Sequence, residues 1–286
     1  MTSLRDDVVD AAGIRMHVRL AGEGPSGRPV LVLHGFTGCV ESMEGVISSL
    51  AVDRPVVAVD LVGHGETDAP DDLDRYSMAA CVDQVATALE AVDVPVVDVL
   101  GYSMGARVAL SLAVAHPAKV ASLVLVGASP GLVDGAARAA RLDADEALAR
   151  QIEEDGLERF VDYWMSLPLF SSQASLGKEF LAASRAQRLR CSVTGLSGSL
   201  RGMGTGRMPA LHERLPEIEQ PVCLVAGSRD ARFVDLAEQM CHRLRDSRCA
   251  FVEGAGHAAH LEAPARVSRI ACTFFREIED RQEMQP

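Results

Sequence analysis

Short runs of uninterrupted Val, Leu, Ala and Cys recur along the chain, separated by longer stretches in which apolar and polar residues mix. Pro29–Leu33, Pro55–Asp60, Val96–Leu100, Val120–Val126, Pro221–Gly227 and Cys249–Val252 read as strands. Apolar runs without alternation mark strands buried on both faces. Between them, Met78–Ala91, Ala106–Ala113 and Phe233–Arg243 read as helices. Strands alternating with helices predict the α/β class, with a mostly parallel central sheet covered on both faces. Val8–Leu20 reads as an edge strand or hairpin.

The pattern changes after Pro130-Gly131. From about Leu132 to Met208 there is no strong strand, and the segment reads as helical, charged and rich in aromatics: Phe160, Tyr163, Trp164, Phe170 and Phe180. The expected organisation is a core at 1–130, an inserted helical cap at 131–208 and the rest of the core at 209–286. The insertion leaves from the C-terminal edge of a strand, where open α/β sheets keep their sites. It is therefore expected to cover a site, with passive decoration of the fold as the alternative. Gly202-Met203-Gly204-Thr205-Gly206 is too irregular for a phosphate loop and reads as a hinge or turn back into the core.

The densest chemical signal is Gly101-Tyr102-Ser103-Met104-Gly105, between an apolar strand and a helix. G-x-S-x-G in that setting is a nucleophile elbow: a sharp turn that presents the serine hydroxyl above the sheet. The Met104 N–H then opens a helix and can stabilise a developing oxyanion. A second donor is expected from the Phe36 N–H, in the turn His34-Gly35-Phe36 after an earlier strand. A nucleophilic serine needs a base, and the base needs an orienting carboxylate, in the chain order Ser, acid, His. Asp230 and His257 each follow a predicted strand and fill those roles. Their rivals are Asp235, inside a predicted helix, and His260, which is expected to shape its loop. His64 is expected to be structural.

Composition narrows the field further. At 286 residues and 48% hydrophobic, the chain holds ample core for one large domain or a core plus an insertion. Its formal charge of −12 argues against partners such as nucleic acid or an anionic membrane. Lys119 and Lys178 are the two lysines, so nearly all cationic charge is arginine. The seven cysteines lack metal-type spacing and suit a reducing compartment. With no bilayer-length apolar run and with Asp6, Asp7 and Asp10 near the start, a cytoplasmic protein without membrane insertion is expected. No metal or organic cofactor is expected, and the oligomeric state is left open.

Over essentially its whole length the chain resembles the α/β-hydrolase superfamily. Within it, several segments look like the 2-succinyl-6-hydroxy-2,4-cyclohexadiene-1-carboxylate synthases of menaquinone biosynthesis. These are Leu33-His34-Gly35-Phe36-Thr37-Gly38, Gly63-His64-Gly65, the elbow with Ala106-Arg107, Ala128-Ser129-Pro130-Gly131-Leu132, Pro168-Leu169-Phe170, Leu200-Arg201-Gly202-Met203-Gly204-Thr205-Gly206 and Gly254-Ala255-Gly256-His257. Ala106 departs from the pattern, which has glycine there. The resemblance implies a triad of Ser103, Asp230 and His257. It also implies substrate-binding arginines at Arg107, Arg138 and Arg185, and pocket aromatics at Tyr102, Trp164 and Phe170. It implies a tricarboxylate substrate, to which guanidinium groups are suited by their bidentate geometry and permanent charge. The implied reaction is elimination of pyruvate, without a cofactor. Two other classes stay open: a serine hydrolase of esters or of carbon–carbon bonds in ring-cleavage products, and a non-catalytic binding protein on the same fold.

Overall fold

The computed structural model describes residues 4–22 and 27–284. β1 (Leu4–Ala11) and β2 (Ile14–Ala21) form a hairpin around Ala12 and Gly13, both at positive φ (55° and 80°). Such a mirror-type turn matches the twist of the strands it joins. The predicted hairpin thus exists and runs a few residues further at its start.

The other strands are β3 (Val30–Leu33), β4 (Val56–Val59), β5 (Val97–Tyr102), β6 (Val120–Val126), β7 (Val222–Gly227) and β8 (Ser247–Val252). Among the described residues they form one sheet in the order β1-β2-β4-β3-β5-β6-β7-β8. β2 meets β4 antiparallel, and every pair from β4 to β8 is parallel. Helices on the two faces are α1 (Glu44–Leu50), α2 (Met78–Ala91) and α3 (Met104–Ala115). An insertion between β6 and β7 holds α4 (Gly135–Ser166), α5 (Lys178–Arg188) and α6 (Val193–Met203). After β7 come α7 (Ala231–Cys241), α8 (Ala259–Glu262) and α9 (Pro264–Glu283).

The continuous apolar runs are explained by two cores. Leu31, Leu33, Val57 and Val59 pack with Val82 and Leu89 of α2, Val108 and Leu112 of α3 and Met240 of α7. The alternate residues Val30, Val32, Val56 and Ala58 pack with Ile47 and Leu50 of α1 and Val267, Phe274 and Phe275 of α9. Because successive strand side chains point to opposite faces, β3 and β4 are apolar at every position.

The insertion has a smaller core of Ile152, Phe160, Val161, Leu196 and Leu200, against which Phe36 of the sheet side also packs. Its two necks are tied by a hydrogen bond from Leu211 N to Pro130 O (2.8 Å). α4 breaks at Gly156, whose φ of 80° and ψ of 173° no helix accommodates. No helix among the described residues is long and apolar enough to cross a membrane.

Candidate active site

Ser103 follows β5 and immediately precedes α3, with φ 50° and ψ −105°. A non-glycine residue there costs roughly 1–3 kcal/mol and persists only if its surroundings enforce it. The flanking glycines allow that enforcement. A Cβ on Gly105 would lie 2.4 Å from Leu33 O, and one on Gly101 would lie 2.6 Å from Gly105 O. The Ser103 N–H is anchored on Val126 O at 2.8 Å.

The turned-out hydroxyl meets His257. Ser103 Oγ is 3.1 Å from His257 Nε2, and His257 Nδ1 is 2.8 Å from Asp230 Oδ2. A proton on Nδ1 directed at the carboxylate leaves Nε2 free to accept from the serine. Asp230 is also the N-cap of α7, where its other oxygen accepts from Phe233 N at 3.4 Å. Phe233 holds the opposite side of the imidazole, with ring centroids 4.3 Å apart. The rivals sit elsewhere. Asp235 is exposed on α7. His260 is buried against Tyr102 (3.9 Å between rings), and burial with the neighbouring His257 lowers its pKa to about 3. Burial, with His34 nearby, likewise lowers His64 to about 3. Both stay neutral at physiological pH, unable to act as a second charged centre.

The turn after β3 faces the same space. Gly38 N donates to Gly35 O (2.9 Å), and the His34 ring bridges Gly35 O (2.8 Å) and Leu61 N (3.0 Å). Met104 opens α3, so its N–H has no acceptor within the helix. Phe36, Ser103, Met104 and His257 all line one cavity of about 160 Å³. Tyr102, Trp164, Phe170 and Arg107 line it too. Trp164 stands 5.2 Å from Phe36 and 5.6 Å from Phe170, with its indole nitrogen buried and without a partner among the described residues.

Arg107, four residues past the serine, donates to Met203 O (2.5 Å) and approaches Met208 Sδ (3.6 Å). It retains some accessible surface, yet the protein encloses its guanidinium closely. That desolvation, with the Arg141 charge nearby, lowers its pKa to about 10, still cationic at neutral pH.

Two expected arginines stand elsewhere, which corrects the sequence reading. Arg138 is turned to the Arg207 carbonyl (3.1 Å), and Arg185 pairs with Asp162 of α4 through two contacts (2.6 and 3.2 Å). Neither lines the cavity. In each helix the arginine three residues further on faces inward instead. Arg141 lines the Ser103 cavity, held by Asp145 Oδ1 at 2.8 Å. Arg188 is buried and lines an adjoining chamber of about 300 Å³ that shares Phe36, Tyr102 and Phe170 with the first. It donates to Ser184 O (3.1 Å) and Oγ, its Nε has no partner among the described residues, and burial lowers its pKa.

The register of α4 is set by a contact distant in sequence. A Cβ on Gly206 would lie 2.9 Å from Leu142 N and 3.0 Å from Arg138 O, and one on Gly204 would lie 2.4 Å from Asp145 Oδ2 and from Leu200 O. The Gly-Thr-Gly segment therefore packs directly on α4. Arg138 faces that contact, and the next turn of the helix faces the cavity. Arg232, also absent from the sequence reading, lines the cavity at its exposed edge. Spacing alone carried a signal for Arg141 and Arg188, each an arginine one turn past an arginine, but nothing to choose between the two. Among the described residues no group of three or more His, Cys, Asp or Glu side chains is disposed to hold a metal ion.

A family model described as alpha/beta hydrolase fold matches residues 28–264, the class of protein that this sheet and elbow define. A Bacillus subtilis (strain 168) protein that carries the name 2-succinyl-6-hydroxy-2,4-cyclohexadiene-1-carboxylate synthase provisionally is 40% identical, over 93% of this chain and 96% of its own. The synthase of that name from Klebsiella pneumoniae (strain 342) is 31% identical, over 87% and 94%. The solved structure of MenH from S. aureus superposes with a TM-score of 0.88 at 30% identity, over 92% and 98%. The chain belongs to the 2-succinyl-6-hydroxy-2,4-cyclohexadiene-1-carboxylate synthase family within the α/β-hydrolase fold.

Proposed function

We propose that the chain carries out its family's lyase reaction in the cytoplasm. It eliminates pyruvate from 2-succinyl-5-enolpyruvyl-6-hydroxy-3-cyclohexene-1-carboxylate, with Ser103, His257 and Asp230 as the proton-transfer relay. Residues 131–208 serve as the cap over the site. The observation that carries this reading is the pairing of an assembled Ser–His–Asp relay with two enclosed arginines, Arg107 and Arg188, that have no carboxylate to neutralise them. Arg107 and Arg188 have no acid partner among the described residues, and Arg141 has one, Asp145. A neutral ester gives no reason to keep desolvated guanidinium groups around a nucleophile, because each costs solvation energy without return. A substrate with three carboxylates does.

The chemistry follows from the positions. His257 takes the Ser103 proton, and the resulting oxyanion removes a proton from the succinyl carbon alpha to the ketone. The electron pair moves through the ring, the carbon–oxygen bond to the enolpyruvyl group breaks, and enolpyruvate leaves and becomes pyruvate. The Phe36 and Met104 N–H groups are directed at the enolate oxygen formed on the way. Abstraction of the carbon-bound proton restores the Ser103 hydroxyl, and protonated His257 gives its proton to the departing enolpyruvate, so the relay ends as it began. Arg107 and Arg141 hold carboxylates on the Ser103 side, Arg188 holds one in the adjoining chamber, and Trp164 and Phe170 cover the ring.

The test is to supply that substrate and follow pyruvate, solvent-isotope incorporation and acyl-enzyme together. Pyruvate without an acyl burst is expected. Rapid hydrolysis of nitrophenyl esters or ring-cleavage diketones, with a burst and no pyruvate, would favour the serine-hydrolase reading.

A further inference from the structure

Arg232 is a cation in an unfavourable place. It is the second residue of α7, where the positive end of the helix dipole opposes a positive side chain. Many exposed arginines are paired, such as Arg150 with Glu146, Arg159 with Asp155, Arg243 with Glu213 and Arg276 with Asp53; others, such as Arg207 and Arg269, have no carboxylate partner among the described residues but do not line the Ser103 cavity. Arg232 has no carboxylate partner among the described residues. Asp230, two positions back, is engaged by His257 and Phe233 N. The Arg232 guanidinium lies 5.8 Å from the centroid of the Phe233 ring, which itself rests on His257. Local stability therefore gives no reason for this charge, yet it lies on the edge of the cavity that holds Ser103.

We propose that Arg232 is the capture residue at the mouth of the site, engaging the substrate's carboxylates before they settle on Arg107 and Arg141. The inference rests on the tricarboxylate reading above. The chain carries a net charge of −12, so its overall field repels a trianion. An unpaired guanidinium at the rim reverses the field locally, within the roughly 10 Å over which charge acts at about 0.1 M salt. Arg107, which the protein encloses closely, and the half-buried Arg141 bind what has already entered.

The experiment compares wild type with Arg232→Lys, Arg232→Gln and Arg232→Glu, measuring kcat, kcat/KM and melting temperature at low and at high salt. At low ionic strength kcat/KM is expected to fall about three- to tenfold in the Gln variant and further in the Glu variant, with Lys recovering most of it. The loss falls on kcat/KM rather than kcat, and shrinks as salt is raised. Melting temperatures of the Gln and Glu variants should match or exceed wild type, because a positive charge has left a helix N-terminus. A structural role predicts the reverse: lower melting temperature and a loss that salt does not change. Wild-type kcat/KM in Arg232→Glu at low salt overturns the proposal. Wild type that releases no pyruvate overturns the tricarboxylate reading instead, and is seen before any variant is made.

Discussion

The two halves of the site are built by different physics. The sheet half comprises Ser103, His257, Asp230 and the Phe36 turn, each within a residue or a short loop of a strand's C-terminal end. Its geometry is set by short-range constraints: a positive φ at Ser103, carbonyls packed against Gly101 and Gly105, and an N-cap at Asp230. The helical half comprises Arg141, Trp164, Phe170 and Arg188, all carried on the insertion between β6 and β7. There, which side chain faces inward depends on how each helix is rotated against its neighbours. A motif dictates the first kind of geometry and not the second.

The hardest blow to the sheet half gives the largest effect. Ser103→Ala, His257→Ala and Asp230→Asn should each cut pyruvate release by roughly three or more orders of magnitude. Since the three act as one relay, Ser103→Ala with His257→Ala should lose little beyond either alone. Circular dichroism should show an unchanged fold. Near wild-type turnover by Ser103→Ala would remove the serine from the mechanism altogether.

The second prediction sets arginines one turn apart against each other. Arg107→Ala, Arg141→Ala and Arg188→Ala should each cost about 2–4 kcal/mol in kcat/KM, because each strands a desolvated carboxylate. Arg138→Ala and Arg185→Ala should stay within about a factor of two, since the first meets a backbone carbonyl and the second an exposed acid. The opposite ranking in steady-state kinetics would mean that the helices turn differently when substrate binds.

That ranking also measures what the sequence makes legible. The α/β class, the parallel strands and the helix positions can be read because a strand covered on both faces must be apolar at every position. The approach of Ser103, His257 and Asp230 can be read because chain order and strand ends confine each to one edge of the sheet. Arg138 and Arg185 were selected by their distance from a motif, which fixes position along a helix but not its rotation. The rotation comes from long-range packing, of Gly204 and Gly206 on α4 and of Asp162 on Arg185. The Gly-Met-Gly-Thr-Gly segment was legible as a turn. That its glycines set the register of α4 was not, since the partner backbone lies some sixty residues away.

Gly204→Ala tests that register without touching a substrate-binding side chain. The backbone at Gly204 (φ −52°) accepts alanine, so the effect is steric: the new methyl meets Asp145 Oδ2 and Leu200 O. Overpacking of this kind costs about 1–3 kcal/mol. KM for the tricarboxylate should rise roughly tenfold as Arg141 is displaced with Asp145. Fluorophosphonate labelling of Ser103 should continue at its former rate. If labelling and KM suffered together, the two halves would not be separable and the comparison would fail.

The smallest effect concerns how the sheet half is anchored. The buried Asp60 carboxylate accepts from His17 Nδ1 (2.7 Å), Val40 N (2.6 Å) and Glu66 N (3.0 Å), and Val40 follows the Phe36 turn. The hydrogen bond to Asp60 raises the His17 pKa against the pull of burial. Burial disfavours ionised Asp60, yet the His17 bond, the nearby His34 and the backbone donors together leave its pKa below the usual value. For His17 the folded state binds the proton more tightly, so its stabilisation is complete below about pH 6.5 and fades as pH rises through the raised value. For Asp60 the stabilisation is complete above about pH 4 and fades as pH falls through the lowered value. The pair is thus at full strength between about pH 4 and 6.5. His17→Gln should destabilise by about 1–2 kcal/mol near pH 5.5, and by distinctly less near pH 8.5, in denaturant unfolding. Arg185→Gln in the helical half removes an exposed pair, which water and salt already screen, and should shift the midpoint little at either pH. A His17→Gln deficit that stayed the same between pH 5.5 and pH 8.5 would show that the imidazole acts through packing rather than charge. The Phe36 turn would then be held by the Asp60–backbone bonds alone.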